Sequence, residues 1–298
     1  MTLNGLVLKC IGGLYTVKTD NEIIQCQARG RFRKDGISPC AGDQVRIKKD
    51  GNSTGVLAEV FPRKNYLVRP PISNLDKLFV ISSVLAPAAN KLLIDKAIAV
   101  AELSGIEPVV VFTKADLGSA EELYRIYQRS GIECCVASVV SGEGVQQVRQ
   151  LAQDGICAFI GNSGVGKSSL MNAAFPGLNL KTGEISQKLG RGRHTTRQVE
   201  LYELFSGGYI ADTPGFSTFD MERYNVTDKD QLILGFRDLN SYTGECKFSS
   251  CSHTCEKGCA VLKAVKEGKV PASRFESYVA MYNEIKGVKQ WEQKSKLV

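Results

Sequence analysis

The segment with the clearest chemical signature is a glycine-rich octapeptide in the middle of the chain. It reads Gly161-Asn162-Ser163-Gly164-Val165-Gly166-Lys167-Ser168 and fits the pattern G-x-x-x-x-G-K-[ST]. The glycines let backbone N–H groups turn toward phosphate oxygens, Lys167 supplies a positive charge, and Ser168 offers a hydroxyl to Mg²⁺. An apolar run precedes the octapeptide and a helical pattern follows it. The segment therefore predicts a phosphate-binding loop between a strand and a helix.

A possible partner for the magnesium site lies about 45 residues further on. Asp212-Thr213-Pro214-Gly215 comes at the end of a predicted strand. An Asp in this place can hold Mg²⁺, usually through water, and the Gly215 N–H can contact a γ-phosphate. The tetrapeptide alone also fits a surface turn, but its position after the phosphate-binding loop favours a nucleotide site.

A third motif has the chemistry to read a base. Thr113-Lys114-Ala115-Asp116 follows an apolar run and matches the pattern [NT]-K-x-D. Asp116 can accept two hydrogen bonds from guanine, whereas adenine lacks that donor pair and would leave the carboxylate unpaired. The stem of Lys114 can pack along the base. Ser138, at the end of the next strand, is predicted to contact the guanine oxygen through its backbone.

A basic, glycine-rich loop lies between the phosphate-binding loop and Asp212. It reads Gly190-Arg191-Gly192-Arg193-His194-Thr195-Thr196-Arg197. A Thr on such a loop can complete Mg²⁺ coordination and sense the γ-phosphate, and Thr196 is favoured over Thr195. Since Phe216 stands where some nucleotide hydrolases carry a water-orienting Gln, His194 is predicted to orient or deprotonate the attacking water. A solvent-exposed loop His is the alternative.

The last chemical cluster combines cysteines with one of the two histidines. Cys246, Cys251, His253, Cys255 and Cys259 offer five candidates for four tetrahedral positions. Three Cys and one His are a usual zinc set, and a tight Cys/His group in a chain without a signal peptide favours metal over disulfides. Because protein groups would fill all four positions, the sequence predicts one structural zinc.

Three regions of the chain, each with its own sequence pattern, are expected to position these groups. Residues 1–66 alternate short β-type runs with glycine-containing turns, which predicts a small five-stranded barrel. Within it, Arg29-Gly30-Arg31-Phe32-Arg33-Lys34 is predicted to be a hairpin that contacts RNA phosphates and stacks Phe32 on a base, unless it is a solvated turn. Residues 62–71 are interpreted as a linker. Residues 67–222 alternate strands with helices, which predicts a mainly parallel sheet. Residues 223–298 are predicted to be mostly helical.

Charge and composition limit the function classes. Residues 1–64 hold eleven Lys/Arg against six Asp/Glu, and residues 261–298 hold eight against four. Two basic ends indicate contacts with a polyanion such as RNA, although solubility alone would also explain them. The chain has no apolar run long enough for a membrane span, and its start does not resemble a signal peptide. We therefore expect a cytoplasmic protein without a membrane partner.

The order of the motifs is unusual. In ordinary GTPases the base-reading motif follows the phosphate-binding loop, but here Thr113–Asp116 comes first, then Gly161–Ser168, then Thr196, then Asp212–Gly215. This order, with a barrel before it and a Cys/His cluster after it, resembles the RsgA (YjeQ) family of circularly permuted GTPases. The resemblance covers nearly the whole chain. It implies an OB-fold at residues 1–66, a circularly permuted α/β P-loop GTPase domain at 67–222 and a mostly α zinc-binding domain at 223–298.

The resemblance also implies a function and a set of roles. Members bind the small (30S) ribosomal subunit, with its 16S rRNA, during late maturation, and the subunit stimulates hydrolysis of GTP to GDP; a monomer is the default. Matched motif by motif, residues 161–169, including Ser169, hold the phosphates, with Lys167, Thr196 and His194 in catalysis. Zinc is held by Cys246, Cys251, His253 and Cys259, which sets Cys255 aside. Thr113 stands where many GTPases carry Asn, so the chain lacks one side-chain amide that would fix a loop.

Other functions remain open from the residues alone. The chain could be a nucleotide-gated RNA-binding module in which hydrolysis is incidental. A P-loop ATPase is disfavoured by Asp116, and a zinc hydrolase is disfavoured because the Cys/His set leaves no position for substrate.

Overall fold

The computed structural model describes residues 1–28, 32, 38–68, 70–178, 199–212, 226 and 228–286. The chain forms two compact units. The first unit comprises Met1–Phe79, Val145–Ser163 and Lys167–Ser217, and the second comprises Val80–Gly144, Gly164–Gly166 and Thr218–Val298. Both units draw on the predicted central domain, so the domain boundaries at 66/67 and 222/223 stay predictions.

Strands dominate the first part of the chain, and strands alternate with helices further on. In chain order the strands are β1 (Thr2–Ile11), β2 (Leu14–Lys18), β3 (Ile23–Ala28), β4 (Gln44–Lys49), β5 (Thr54–Val60), β6 (Tyr66–Val68), β7 (Pro71–Ser73), β8 (Lys77–Ser83), β9 (Glu107–Thr113), β10 (Glu133–Val136), β11 (Ile156–Ile160), β12 (Glu200–Glu203) and β13 (Tyr209–Asp212). The described α-helices are α1 (Lys91–Leu103), α2 (Glu121–Arg129), α3 (Val145–Leu151), α4 (Lys167–Ala174), α5 (Arg237–Asn240), α6 (Ala260–Lys266) and α7 (Ala272–Lys286).

The first five strands close into a barrel, as the sequence predicted. β1 pairs antiparallel with β2 and with β4, β2 pairs antiparallel with β3, β3 pairs parallel with β5, and β5 pairs antiparallel with β4. Each strand therefore has a neighbour on both sides, which satisfies the backbone groups that an open edge would leave exposed. The small barrel is of the expected OB-like kind.

The barrel is filled by side chains from alternate strand positions. Its buried core consists of Val7, Tyr15, Val17, Ile24, Cys26, Phe32, Val45, Ile47 and Leu57. Phe32 is only 6% exposed and packs in this core. The expectation that Phe32 stacks on an RNA base is therefore wrong, because burial of an aromatic ring against aliphatic neighbours leaves no face for a base. Its basic neighbours at 29–31 and 33–34 lie outside the described residues.

The expected linker at 62–71 carries regular structure. β6 and β7 form an antiparallel hairpin. The hairpin is tied to the barrel by Asp43, whose carboxylate accepts hydrogen bonds from Arg63 Nε at 2.7 Å and Ser73 Oγ at 2.6 Å. A fully buried carboxylate requires such partners, so these contacts fix a segment that its composition had indicated to be a linker.

A three-stranded ladder in the first unit extends from the barrel. β11 runs parallel to β13, β13 pairs antiparallel with β12, and β12 pairs antiparallel with β1. β11 is buried at all five positions. At the start of β8, Phe79 stacks on Phe159 of β11 with ring centroids 4.5 Å apart. β1 therefore belongs both to the barrel and to the ladder that carries Asp212.

The second unit contains the last residues of β8 with β9 and β10. β9 and β10 pair in parallel, and all but the first position of β9 are buried. Helix α1 begins after Asn90, whose side chain accepts a hydrogen bond from the Leu93 N–H at 3.2 Å. Such an N-cap satisfies one of the free donors at a helix start. The parallel strands and intervening helices confirm the predicted α/β arrangement.

Helix α7 is joined to α1 through a buried arginine of the second unit. The Arg274 side chain is fully buried and donates to Asp95 Oδ1 at 2.5 Å and to Asp238 Oδ1 at 3.1 Å. Its guanidinium also lies 4.8 Å from the ring centroid of Phe236. Burial lowers the pKa of Arg274, but the two carboxylates outweigh burial and hold the pKa above its usual value. The guanidinium therefore stays charged between its partners.

Within the described part of the chain, no helix has the length and apolar character needed to span a membrane.

Candidate nucleotide-binding site and metal centre

The phosphate-binding motif lies where the sequence predicts. β11 ends at Ile160, residues 161–166 form a loop, and α4 begins at Lys167. Gly164 and Gly166 have φ values of 83° and 89°, a region that L side chains rarely adopt. These two glycines allow the loop to turn its N–H groups inward ahead of a helix N-terminus. The loop can therefore cradle an anion.

The base-reading motif contacts this loop directly. Thr113, at the end of β9, is 3% exposed and donates from Oγ1 to the Val165 carbonyl at 2.5 Å. The Ser82 carbonyl is the other acceptor within reach, at 3.3 Å. Thr113 and Val165 both belong to the second unit, although they are 52 residues apart in the chain. The Thr113 hydroxyl thus fixes the loop in place of the side-chain amide that many GTPases use.

The residues after Thr113 are held in a defined conformation. Lys114 adopts a left-handed φ of 61°, and its Nζ donates to the Ala86 carbonyl. Asp116 is exposed, and its Oδ1 accepts a hydrogen bond from the Ser138 hydroxyl at 2.5 Å. The Ala115 N–H donates to the Ala137 carbonyl at 3.2 Å. Together these contacts present the Asp116 carboxylate at the surface beside the end of β10.

Ser138 makes a side-chain contact that the sequence did not predict. The sequence suggested a backbone contact to guanine, whereas the structure gives its side chain the task of orienting Asp116. Ser138 is 1% exposed, and its hydroxyl also accepts from the Ser141 N–H at 3.2 Å. The predicted base contact stays a prediction.

Two of the predicted magnesium ligands follow neighbouring strands of the first unit: Ser168 is the second residue of α4, after the loop that leaves β11, and Asp212 is the last residue of β13. β11 and β13 are parallel, with Ala158 opposite Ala211, so the loop that leads to Ser168 and the end of β13 at Asp212 leave the sheet at the same edge. A Ser hydroxyl and an Asp carboxylate are hard oxygen donors of the kind that Mg²⁺ prefers. The donor set therefore fits the ion. Thr195, Thr196, His194, Gly215 and the loop at 190–197 lie outside the described residues.

Four of the five cysteine and histidine candidates meet in the second unit. The ligand atoms of Cys246, Cys251, His253 and Cys259 all lie within 4.8 Å of one another. Cys246 Sγ lies 3.5 Å from His253 Nδ1 and 3.9 Å from Cys259 Sγ. Ligands bound about 2.0–2.3 Å from a tetrahedral ion lie about 3.3–3.8 Å apart, so a small contraction of the wider separations would let this three-sulfur, one-nitrogen set hold zinc.

The backbone around this cluster explains its geometry. Cys259 caps the N-terminus of α6 by accepting a hydrogen bond from Leu262, and His253 is held at a φ of 59°. Burial lowers the pKa of His253, which favours the neutral imidazole that binds metal. Cys255 is exposed and is not a member of the cluster.

Some contacts of the site have no signature in the sequence. The Ala86 carbonyl that receives Lys114 is a backbone atom, and any residue type would offer it. The Ser138 hydroxyl bond to Asp116 depends on how two loops meet. Only a search for polar residues that follow β9 and β10 could have suggested the pairing of Asp116 with Ser138.

The parallel strand pairs, the glycine loop and the base-reading motif that precedes it in the chain define a P-loop GTPase with a circularly permuted sequence. Family models agree: the RsgA GTPase model matches residues 60–222, and the RsgA N-terminal domain model matches residues 4–57. The chain belongs to the RsgA family.

Relatives and solved structures extend the match over almost the whole chain. A protein of Caldanaerobacter subterraneus subsp. tengcongensis named small ribosomal subunit biogenesis GTPase RsgA is 42% identical over 95% of this chain and 96% of its own. A Streptococcus pneumoniae protein of the same name is also 42% identical, over 95% and 94%. The crystal structure of YjeQ from Thermotoga maritima superimposes with a TM-score of 0.84 at 32% identity, covering 97% and 100%. YloQ, described as a circularly permuted GTPase, gives 0.79 at 32% identity, covering 97% and 96%.

Proposed function

We propose that this chain hydrolyses GTP to GDP and phosphate and acts in the late maturation of the small ribosomal subunit, whose binding stimulates turnover. The observation that carries the nucleotide site is the Thr113 hydrogen bond to Val165, which joins the base-reading motif to the phosphate-binding loop. The names of the relatives at 42% identity support the ribosomal role.

Each group has a proposed task. Asp116, oriented by Ser138, accepts from the guanine N1–H and exocyclic amine, and Lys114 packs along the base. The loop at 161–169 binds the phosphates, and Lys167 neutralises charge that develops during transfer. Magnesium, held by Ser168, Thr196 and Asp212, would neutralise the β- and γ-phosphate oxygens when bound. Gly215 contacts the γ-phosphate, and His194 orients the attacking water.

The remaining proposals concern partners and place. The basic barrel and the zinc-binding region contact 16S rRNA, a single zinc ion holds the C-terminal region together, and the protein acts as a cytoplasmic monomer. GTP turnover measured with added small subunits, large subunits or naked RNA tests the partner. We expect stimulation by small subunits only; equal stimulation by all three would contradict the ribosomal role.

The role of Asp116 in base recognition has a separate test, in which an amide replaces the carboxylate and so adds a hydrogen-bond donor. Asp116→Asn presents an amide that can donate to a carbonyl at the 2-position, so we expect turnover to shift from GTP to XTP. A loss of about 1–3 kcal/mol in GTP binding is expected, since the guanine amine loses its charged acceptor. Equal use of GTP by the variant and the parent would contradict the role of Asp116.

Single-turnover rates of His194→Ala, with and without small subunits, test the catalytic histidine.

A further inference from the structure

A row of three residues connects the barrel to the strand that carries Asp212. Lys9 of β1 is the register partner of Glu200 of β12, and Glu200 is the register partner of Asp212 of β13. All three belong to the first unit. Neighbouring strands lie about 4.7–4.9 Å apart, so the backbones of Lys9 and Asp212 are separated by about 10 Å, with Glu200 between them.

The side chains of the first two members form an ion pair. Lys9 Nζ donates to Glu200 Oε2 at 2.6 Å, and the Tyr202 hydroxyl lies 3.3 Å from the same oxygen. The side chains of Lys9 and Glu200 are 27% and 37% exposed. Tyr202 belongs to β12 itself and orients the carboxylate, so the Lys9 donor is the contact of this pair that ties the start of β12 to the barrel.

The other end of β12 carries a second ion pair of the same type. Lys18 of β2 pairs with Glu203, and these side chains are 27% and 44% exposed. The register partner of Glu203 on β13 is Tyr209, the first residue of that strand. The two pairs therefore resemble each other in chemistry and exposure, but only the Lys9 pair lies opposite Asp212.

We propose that Lys9 and Glu200 are positioning residues for Asp212. By fixing β12 against the barrel, the ion pair holds the end of β13 from which Asp212 leaves the sheet, and so sets how tightly Mg²⁺ and nucleotide are retained. The barrel acts on the nucleotide site through this row and not only as an RNA-binding attachment. The inference rests on the proposed function, in which Asp212 serves the magnesium site.

The experiment measures release of a fluorescent GDP analogue by the full-length protein as Mg²⁺ is titrated. We expect Lys9→Met and Glu200→Gln to raise the Mg²⁺ concentration needed for half-maximal retention by about two- to fivefold, the range of a partly exposed ion pair. Lys18→Met and Glu203→Gln are the matched controls and should stay within about 1.5-fold of the parent. The conservative variant Lys9→Arg keeps the charge and the donor to Glu200 and should retain the Mg²⁺ dependence of the parent.

The controls separate positioning from general weakening of the barrel. Thermal unfolding of all variants is followed in parallel, because a merely structural role would lower stability and retention alike in the Lys9 and Lys18 variants. Equal Mg²⁺ dependence in both sets would overturn the inference. If the parent itself released the analogue at a rate independent of Mg²⁺, the proposed magnesium site would be contradicted. That result differs from an equal Mg²⁺ dependence in both sets of variants, so failure of the proposed function can be told apart from failure of the inference.

Discussion

The barrel and the C-terminal region are stabilised in different ways. The barrel closes a continuous set of backbone pairings around nine buried side chains, and apart from the buried Asp43 carboxylate its ion pairs, such as Lys49–Glu22 and Arg46–Glu59, are partly exposed. The described C-terminal region has three α-helices of four, seven and fifteen residues, and depends on a Cys/His cluster and on Arg274. One region distributes its stability over many weak contacts, whereas the other concentrates it in a few strong ones.

This difference predicts contrasting responses to single substitutions. Loss of one apolar contact in a packed barrel leaves the remaining contacts intact, so its effects should be graded. Loss of one ligand or one buried charge leaves its partners unsatisfied, so its effects should be large and confined to the second unit.

The largest effect should follow loss of a zinc ligand. Cys259→Ser removes a zinc ligand while the serine hydroxyl can still cap α6, and structural zinc sites contribute about 10–16 kcal/mol of apparent binding free energy. We expect one zinc per chain in the parent, none in the variant, and rapid proteolysis of the C-terminal region. Cys255→Ser is the matched control and should keep its zinc; loss of the metal in both variants would show that Cys255 takes part.

The next largest effect should come from the buried arginine. Arg274→Met leaves Asp95 and Asp238 as buried carboxylates without a cation, which should cost about 3–5 kcal/mol in the free energy of unfolding. Chemical denaturation measures this loss. Adding Asp95→Asn and Asp238→Asn should restore part of it. Arg125→Met, which breaks an exposed pair with Glu121, is the control and should change stability by less than about 0.5 kcal/mol.

A smaller effect is expected inside the barrel. Ile47→Val removes one methyl group from a fully buried position and should cost about 0.5–1.5 kcal/mol, because the surrounding core stays packed. Chemical denaturation, followed by a probe that reports on the barrel, should show this loss in the free energy of unfolding. The zinc content should not change. A loss comparable to that of Arg274→Met would erase the contrast between the two regions.

The smallest effect should come from the barrel's own ion pairs. Glu22→Gln removes the partner of Lys49, and the two side chains are 34% and 24% exposed. Solvent screens such a pair, so we expect a change below about 1 kcal/mol in the free energy of unfolding. A larger loss would mean that charges contribute to the barrel much as they do around Arg274.

Local patterns explain which parts of the fold could be predicted. The sequence indicated a strand at 156–160 and a helix at 167–174, and the structure has both with these bounds. A buried apolar run, a glycine turn and a Lys-Ser helix start depend on residues that are close in the chain. The short strands of the barrel and the Cys/His cluster were predictable for the same reason, whereas the choice of four zinc ligands among five candidates came from the resemblance to the RsgA family.

Contacts between distant residues explain what could not be predicted. Composition indicated that Phe32 stacks on a base and that residues 62–71 are a linker. In the structure the Phe32 ring is buried, and β6 and β7 form a hairpin in the expected linker. Burial depends on which strands surround a residue, and composition does not contain that information. The role of Ser138 was missed because its hydroxyl meets Asp116 across two loops.

By itself the sequence determined the motifs, their permuted order and the chemistry of each site, since these depend on residue types and short spacings. Only the tertiary structure decided that Lys9 lies beside Glu200, 191 residues away, and that Arg274 lies beside Asp95, 179 residues away. Such pairs form because strand pairing and helix packing bring the chain back on itself, and a charged side chain gives no sign in sequence of the partner it will meet.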